Sequence, residues 1–415
     1  RYLLLMGDGS FDHKGRLDIN SNYIPTFQSS NSYNPIATYV SDDYFGLLDD
    51  TEGESASEPI DIGIGRIPVQ TTEQAQAMVD KIKHYHDPIT MRNWRNTVCF
   101  IADDEDFDLH LNQSEGVAMN TVSANYKDYD IDKIYLDAYN QESTPGGQRY
   151  PDATDAINSR IERGALIVNY TGHGGELGWA HERVLENSDI NGWSNYDNLP
   201  LFMTATCEFS RYDDPERTAA GEYVFLNPTG GAIAMLTTTR VVTSGSNLTL
   251  TTAFYQNVFE PINGEMPRLG DVYMKTKNSA IDAGAGAANT RKFALLGDPA
   301  MMLAYPEHVV LTDSINQQAV AGTADTLKAL SKVTISGHLE DESGTKLTNF
   351  NGTVYPTVFD KAVSVTTLAN DPTSSAKTFS LQKNALFRGK ASVINGAFSF
   401  SFIVPKDIAY QPGQG

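Results

Sequence analysis

One histidine and one cysteine stand where this sequence could do chemistry. The segment Asn169-Tyr170-Thr171-Gly172-His173-Gly174-Gly175-Glu176 follows an apolar run at 165–168, and the next apolar run, 201–204, leads through Ala205 and Thr206 to Cys207. In an open α/β sheet, ligands bind beyond the carboxyl ends of the strands. An imidazole and a thiol ending two paired parallel strands, about 4.8 Å apart, would share one cleft. A thiol with an ordinary pKa of about 8.5 becomes a nucleophile when a neighbouring imidazole takes its proton. The glycines around His173 let backbone N–H groups, that of Gly174 first, approach a reacting carbonyl oxygen. Position alone leaves two readings open, covalent catalysis and a His and Cys that merely end strands.

Those residues need strands to carry them. Runs at 3–6, 98–102, 165–170, 201–204 and 232–236 have strand length and lead into Gly, Asp, Thr or Cys. Between them, Ala75, Met78, Val79, Ile82 and Tyr85 fall at helical spacing after Thr71, with Gln74 placed for a capping box. A second helix is predicted after Asp152, burying Ala156, Ile157 and Ile161 and stopping at Gly164. Strand then helix, repeated, predicts an α/β body with parallel strands buried on both faces. The polar stretch 87–96, broken by Pro88, divides it into a first subdomain, 1–96, and a larger one, 97–305, that holds His173 and Cys207. Beyond Tyr305-Pro306 the period changes to two: Asn395-Gly396 signals a hairpin, and Phe398, Phe400, Phe402 and Val404 alternate after it. Residues 306–415 therefore read as an all-β sandwich, with the three phenylalanines on one buried face. The opening residues read as a buried strand entering a turn, so further protein is expected upstream of residue 1.

The composition narrows the function. The 415 residues carry 31 basic and 52 acidic side chains, a net charge of −21, which repels phosphate backbones and anionic lipid and makes nucleic acid an unsuitable partner. No apolar run approaches the ~18 residues of a spanning helix. Cys99 and Cys207 are the two cysteines, which rules out a disulfide framework or a Cys-x-x-Cys centre and allows at most one bridge. Cys99, inside Val98-Cys99-Phe100-Ile101-Ala102, reads as a small core hydrophobe.

The segment 169–174, followed by a strand ending in Cys207, resembles the core of the gingipain-type, caspase-like cysteine peptidases. Tyr2-Leu3-Leu4-Leu5-Met6-Gly7-Asp8-Gly9, Ser41-Asp42-Asp43-Tyr44, Ile64-Gly65-Arg66-Ile67-Pro68-Val69 and Leu296-Gly297-Asp298-Pro299 are similar to that family's markers, in order. Within the family, Phe350-Asn351-Gly352-Thr353-Val354 and Ala391-Ser392-Val393-Ile394-Asn395-Gly396-Ala397-Phe398 resemble the sandwich of the type IX secretion sortases of Bacteroidota. The resemblance implies a Cys207–His173 dyad. It also implies a supporting carboxylate among Asp103, Asp104 and Glu105, with Asp104 preferred and Glu105 next. An S1 aspartate is implied at Asp108, although a shorter preceding loop puts basic P1 specificity in question. Implied too are cargo proteins with C-terminal secretion signals as substrates, surface lipopolysaccharide as acceptor, other secretion components as partners, and a place outside a Gram-negative cell or on its outer membrane. No cofactor is required, and structural calcium is compatible with the family. The alternatives are a secreted gingipain-type endopeptidase and a surface binding protein with a degenerate peptidase fold.

Other residues read more plainly. Asp104, Asp106, Asp108 and Glu115 occupy positions 1, 3, 5 and 12 of an EF-hand-like loop, with Leu109 where glycine is required. Gly7-x-Gly9 lacks the rest of a dinucleotide or P-loop fingerprint and reads as a strand-end turn. His181 lacks the second His of a zinc-protease helix and suits a cleft rim. Trp179 either lines the substrate groove or caps the core. No Gly-x-Ser-x-Gly elbow is present.

Overall fold

The structure, a computed structural model, describes residues 1–31, 33–53, 55–321, 326–341 and 343–408. It divides into two compact units: residues 1–305 with 366–377, and 306–365 with the residues after 377.

The first unit is built on an 8-stranded sheet. Its strands are β1 (Tyr2–Met6), β2 (Gly63–Ile67), β3 (Thr97–Ala102), β4 (Asp130–Tyr135), β5 (Ile167–Thr171), β6 (Leu201–Ala205), β7 (Ala234–Thr238) and β8 (Phe293–Leu296). In space they run β1-β2-β8-β7-β6-β5-β3-β4. Every pairing is parallel except β7 with β8. Two parallel blocks of opposite direction thus share one sheet, and strands from both sides of position 96 belong to it. The central strands β5 and β6 are buried along their whole length, which is why both read as unbroken apolar runs. β1 differs from the buried strand its sequence suggests. It forms the sheet edge and leaves Leu4 and Met6 exposed.

The helices follow their sequence signals. α1 (Thr72–Tyr85) starts at a Thr71–Gln74 capping box. Within it Val79 is exposed, whereas Lys81 is buried with its ammonium donating to the carbonyls of Phe225 and Asn227 at 2.8 and 3.0 Å. Burial pushes that amine down to about 7. α2 (Leu109–Gly116) follows the acidic turn after β3. α3 (Pro151–Arg163) buries Ala153, Ile157 and Ile161 and ends at Gly164, φ 81°. α4 (Ser244–Val258) and α5 (Leu269–Asp282) follow β7.

The marker segments meet in this unit. The Arg66 guanidinium grips the Asp42 carboxylate through Nε and Nη2 at 2.6 and 2.7 Å. Asp43 is buried against Lys277, Arg291 and Tyr273. A side chain at Gly65 would place its Cβ 2.3 Å from the carbonyl oxygen of Gly297, so only glycine lets the two segments close up.

The second unit is all-β and antiparallel. Gln318–Ala319, β9 (Val309–Ile315), β10 (Lys332–Glu340), β13 (Ala397–Ile403), β12 (Ala391–Ile394) and β11 (Gly352–Val354) form a 6-stranded sheet in that spatial order. Asn395 and Gly396, at φ 52° and 72°, make the two-residue turn between β12 and β13. Along β13, Phe398 and Phe402 are buried, Phe400 is half-buried, and the intervening residues are exposed, so the three rings do share one face.

Candidate active site

The register of three adjacent strands assembles the site. Thr171 on β5 pairs with Ala205 on β6 and with Ala102 on β3. Two residues further along each chain stand His173, Cys207 and Asp104. His173 and Cys207 line one open cleft with Asp106, His110, Val242 and Asn247.

The His173 loop is held at its backbone. Its N–H donates to Asp103 Oδ2 at 2.7 Å, and its carbonyl accepts from the Tyr170 hydroxyl at 2.6 Å and the Ala180 N–H at 2.9 Å. A Cβ at Gly172 would meet Asp103 Cβ at 2.4 Å, and one at Gly174 would meet Thr206 Oγ1 at 2.6 Å. The glycines are therefore needed for packing of the His loop between the acidic turn and the cysteine loop.

The imidazole meets its carboxylates at Nε2, which lies 3.1 Å from Asp106 Oδ2 and 3.6 Å from Glu105 Oε2. A carboxylate only accepts, so this contact places the ring proton on Nε2 and leaves Nδ1 as the basic atom. His181 stacks on His173 with centroids 5.2 Å apart and shares Glu105 at 2.9 Å. The hydrogen bond to Glu105 raises the His181 pKa.

Asp104, the preferred supporting carboxylate, is placed elsewhere. It is buried and accepts from the Tyr150 hydroxyl. Asp106, Phe107 and Asp108 have left-handed backbones, φ 59°, 58° and 63°. This coil breaks the strand register and brings Glu105 and Asp106, not Asp104, to the ring. Three such residues in succession are costly without glycine and persist only where surrounding contacts enforce them.

Asp108 is likewise not an open carboxylate in a substrate pocket. It is buried, accepts from the Ser375 N–H at 3.1 Å and the Ser375 hydroxyl at 2.7 Å, and lies 3.5 Å from the Lys377 ammonium. Burial pushes its carboxyl up, but the Ser375 bonds and the Lys377 charge hold it below the ordinary carboxylate range. The 366–377 segment that supplies these groups is anchored on Asp137, whose carboxylate accepts from the Ala369 and Asn370 N–H groups. Trp179 is a core residue: fully buried, it stacks on Tyr170 at 4.3 Å and packs beside Phe209.

The EF-hand-like set does not converge. Asp104 goes to Tyr150, Asp106 to His173, Asp108 to Ser375, and Glu115 to Lys133 and Tyr135.

Asp103, Asp104 and Glu182 are three buried carboxyls with ligand oxygens within 4.8 Å of one another. Burial raises all three, Glu182 from its ordinary 4.5 to about 7. The folded chain then holds a proton that the unfolded chain releases, so this contribution to stability is full below pH 4.5 and is lost as pH rises to about 7. Thermal melting across that window should show a flatter pH dependence in Glu182→Gln than in the parent. Identical slopes would contradict the burial argument.

Cys207 is half-buried, and its thiol donates to the Val242 carbonyl at 3.8 Å. Burial raises its pKa, so the resting group is a thiol. The loop beyond it is braced by Arg240, whose carbonyl accepts the Glu208 N–H at 3.3 Å and whose guanidinium pairs with buried Asp213 at 2.5 Å. Cys99 is fully buried, and both thiols are free, so no bridge forms.

His110, on α2 beside His173, carries no signal in the sequence beyond its position four residues after Asp106.

This sheet carries an imidazole and a thiol at its carboxyl edge, the arrangement that the resemblance to caspase-like peptidases implies. Residues 1–304 match peptidase family C25, and the chain belongs to that family of cysteine peptidases. Gingipain R2 of Porphyromonas gingivalis is 26% identical over 208 residues, 50% of this chain and 24% of its own length. Gingipain R1 from the same organism is 26% identical over 208 residues, 50% of this chain and 18% of its own. The chain thus spans about a quarter or less of these relatives. The crystal structure of the Arg-specific cysteine proteinase gingipain R superposes with a TM-score of 0.57 at 18% identity, covering 98% of this chain and 78% of that one. Dimeric latent PorU from Porphyromonas gingivalis gives a TM-score of 0.38 at 24% identity, covering 99% and 33%.

Proposed function

We propose that Cys207 and His173 are the nucleophile and base of a thioester-forming peptidase that works as a sortase outside a Gram-negative cell. The reading rests on one observation above all, the parallel β5–β6 pairing that sets both residues on one cleft. Nδ1 of His173 takes the thiol proton as Sγ attacks the scissile carbonyl carbon. The oxyanion is received by the backbone N–H groups of Gly174 and Cys207. As the C–N bond breaks, the imidazolium returns the proton to the leaving amine, and an acyl thioester remains on Cys207. A second nucleophile then attacks the thioester carbonyl and gives its proton to His173; the C–S bond breaks and the imidazolium returns that proton to the departing Cys207 sulfur. Asp106 and Glu105 orient the ring through Nε2.

The substrates on this reading are cargo proteins with C-terminal secretion signals. The acceptor is an amine on surface lipopolysaccharide, and other secretion components are partners. Support comes from the sortase-like patterns at 350–354 and 391–398. The pairing of Asp108 with Lys377 adds to it: a basic P1 side chain would have to displace an internal lysine, which disfavours the Arg- or Lys-cleaving endopeptidase alternative.

Transfer and hydrolysis separate in a competition experiment. Water stands at about 55 M, so a millimolar amine wins only if the protein binds and orients it, at effective molarities of about 10⁵ M or more. The chain is incubated with a tagged peptide carrying a cargo signal junction and increasing amine, and acid and conjugate are counted by mass spectrometry. A conjugate fraction that rises and saturates is expected. Free acid alone from a cleaving enzyme would favour the endopeptidase.

A further inference from the structure

The peptidase chemistry leaves one buried group beside the catalytic ring unused. His110 is 5% exposed, and neither its Nδ1 nor its Nε2 has a hydrogen-bond partner. A buried imidazole normally satisfies at least one nitrogen, so this one calls for an explanation. Its Nε2 lies 3.4 Å from Asp106 Oδ2, the same oxygen that stands 3.1 Å from His173 Nε2. The two rings meet edge to face with centroids 5.2 Å apart, and the three ligand atoms lie within 4.8 Å of one another.

We infer that Asp106, His110 and His173 form a binding site for a borderline divalent transition cation of the Zn²⁺ type. Metal–nitrogen and metal–oxygen bonds of about 2.0–2.1 Å in a tetrahedron separate neighbouring ligand atoms by about 3.3 Å. The two short separations here, 3.4 and 3.1 Å, straddle that value. Two imidazoles and one carboxylate suit Zn²⁺ and disfavour Ca²⁺ and Mg²⁺, which take oxygen ligands in larger number. The left-handed coil at Asp106–Asp108 acquires a purpose: it turns one carboxylate back between two imidazoles from different elements. The three residues line the open cleft, which leaves a fourth position for water.

Binding itself is independent of the proposed function, but its consequence rests on that reading. With a cation on Nε2, the neutral ring of His173 keeps its single proton on Nδ1. Neither nitrogen then accepts a proton from Cys207, and occupancy holds the peptidase off until the metal is withdrawn.

Calorimetric titration of ZnCl₂ into the Cys207→Ala chain tests the site without the thiol. One Zn²⁺ per chain is expected, with affinity at least about tenfold weaker in Asp106→Asn and in His110→Gln, and no displacement by excess Ca²⁺. Asp106 is half exposed at its side chain, 51%, so its variant decides the question even where the buried His110→Gln fails to fold. Co²⁺ gives a second readout: its tetrahedral visible bands should appear with the Cys207→Ala chain and vanish with Asp106→Asn. Unchanged Zn²⁺ affinity in Asp106→Asn, or binding that needs Cys207, would overturn the assignment. These outcomes do not depend on whether the protein cleaves any substrate.

Discussion

Cys207→Ala is expected to abolish labelling by a thiol-reactive peptide probe and to lower peptide cleavage by about 10⁴-fold or more, with the fold retained. The effect is large because the thioester route is lost outright, leaving only binding and oxyanion contacts. It is selective because the side chain lies just beyond the end of β6, only half-buried, with one long hydrogen bond, 3.8 Å to the Val242 carbonyl. Cys99→Ala supplies the contrast. That thiol lies fully buried in the core of the first unit, and its removal should cost about 1 kcal/mol of stability with labelling unchanged. Turnover surviving in folded Cys207→Ala protein would dismiss the thioester mechanism, whereas loss in both cysteine variants would point to global damage.

The largest effect on stability is expected at Asp43. Its carboxylate is fully buried, 2.5 Å from the Lys277 ammonium and 2.9 Å from the Arg291 guanidinium, with the Tyr273 hydroxyl donating to its other oxygen. Asp43→Asn leaves two cations in the interior with their anion gone, a loss of about 3–5 kcal/mol. In a unit this large that corresponds to a melting point about 5–7 °C lower. Burial raises the Asp43 pKa, but Lys277 and Arg291 together pull it below its ordinary 3.8. The contribution is therefore fully present above pH 3.8 and fades only as pH falls through the depressed value. Calorimetric melting at neutral pH checks the magnitude, and a change below about 1 kcal/mol would show that the cations find other partners.

What the sequence determines by itself are the features that repeat locally. Apolar runs of strand length, the Thr71–Gln74 box and the Gly164 stop each act over a few residues, so the α/β body, two of its helices and the strand ends bearing His173 and Cys207 are legible along the chain. Period two along 398–404 likewise marks the all-β unit and the shared face of its phenylalanines. Strands that carry no long apolar run, such as β2 and β4, pass without a signal, because partners across the sheet and not their own pattern make them strands.

The side-chain partners at the site belong to the tertiary structure alone. Strand register points to Asp104 as the residue level with His173. The left-handed coil at 106–108 overrides the register and delivers Asp106 and Glu105 instead. Asp108 is bonded to Ser375 and lies beside Lys377, more than 260 residues away in sequence, and Trp179 stacks on Tyr170 in the core. His110 gains its meaning only when folding sets it beside His173. Backbone conformation is written in short-range sterics and periodicity. Which carboxylate meets which imidazole depends on contacts between segments far apart in the chain, and those exist only once the chain has folded.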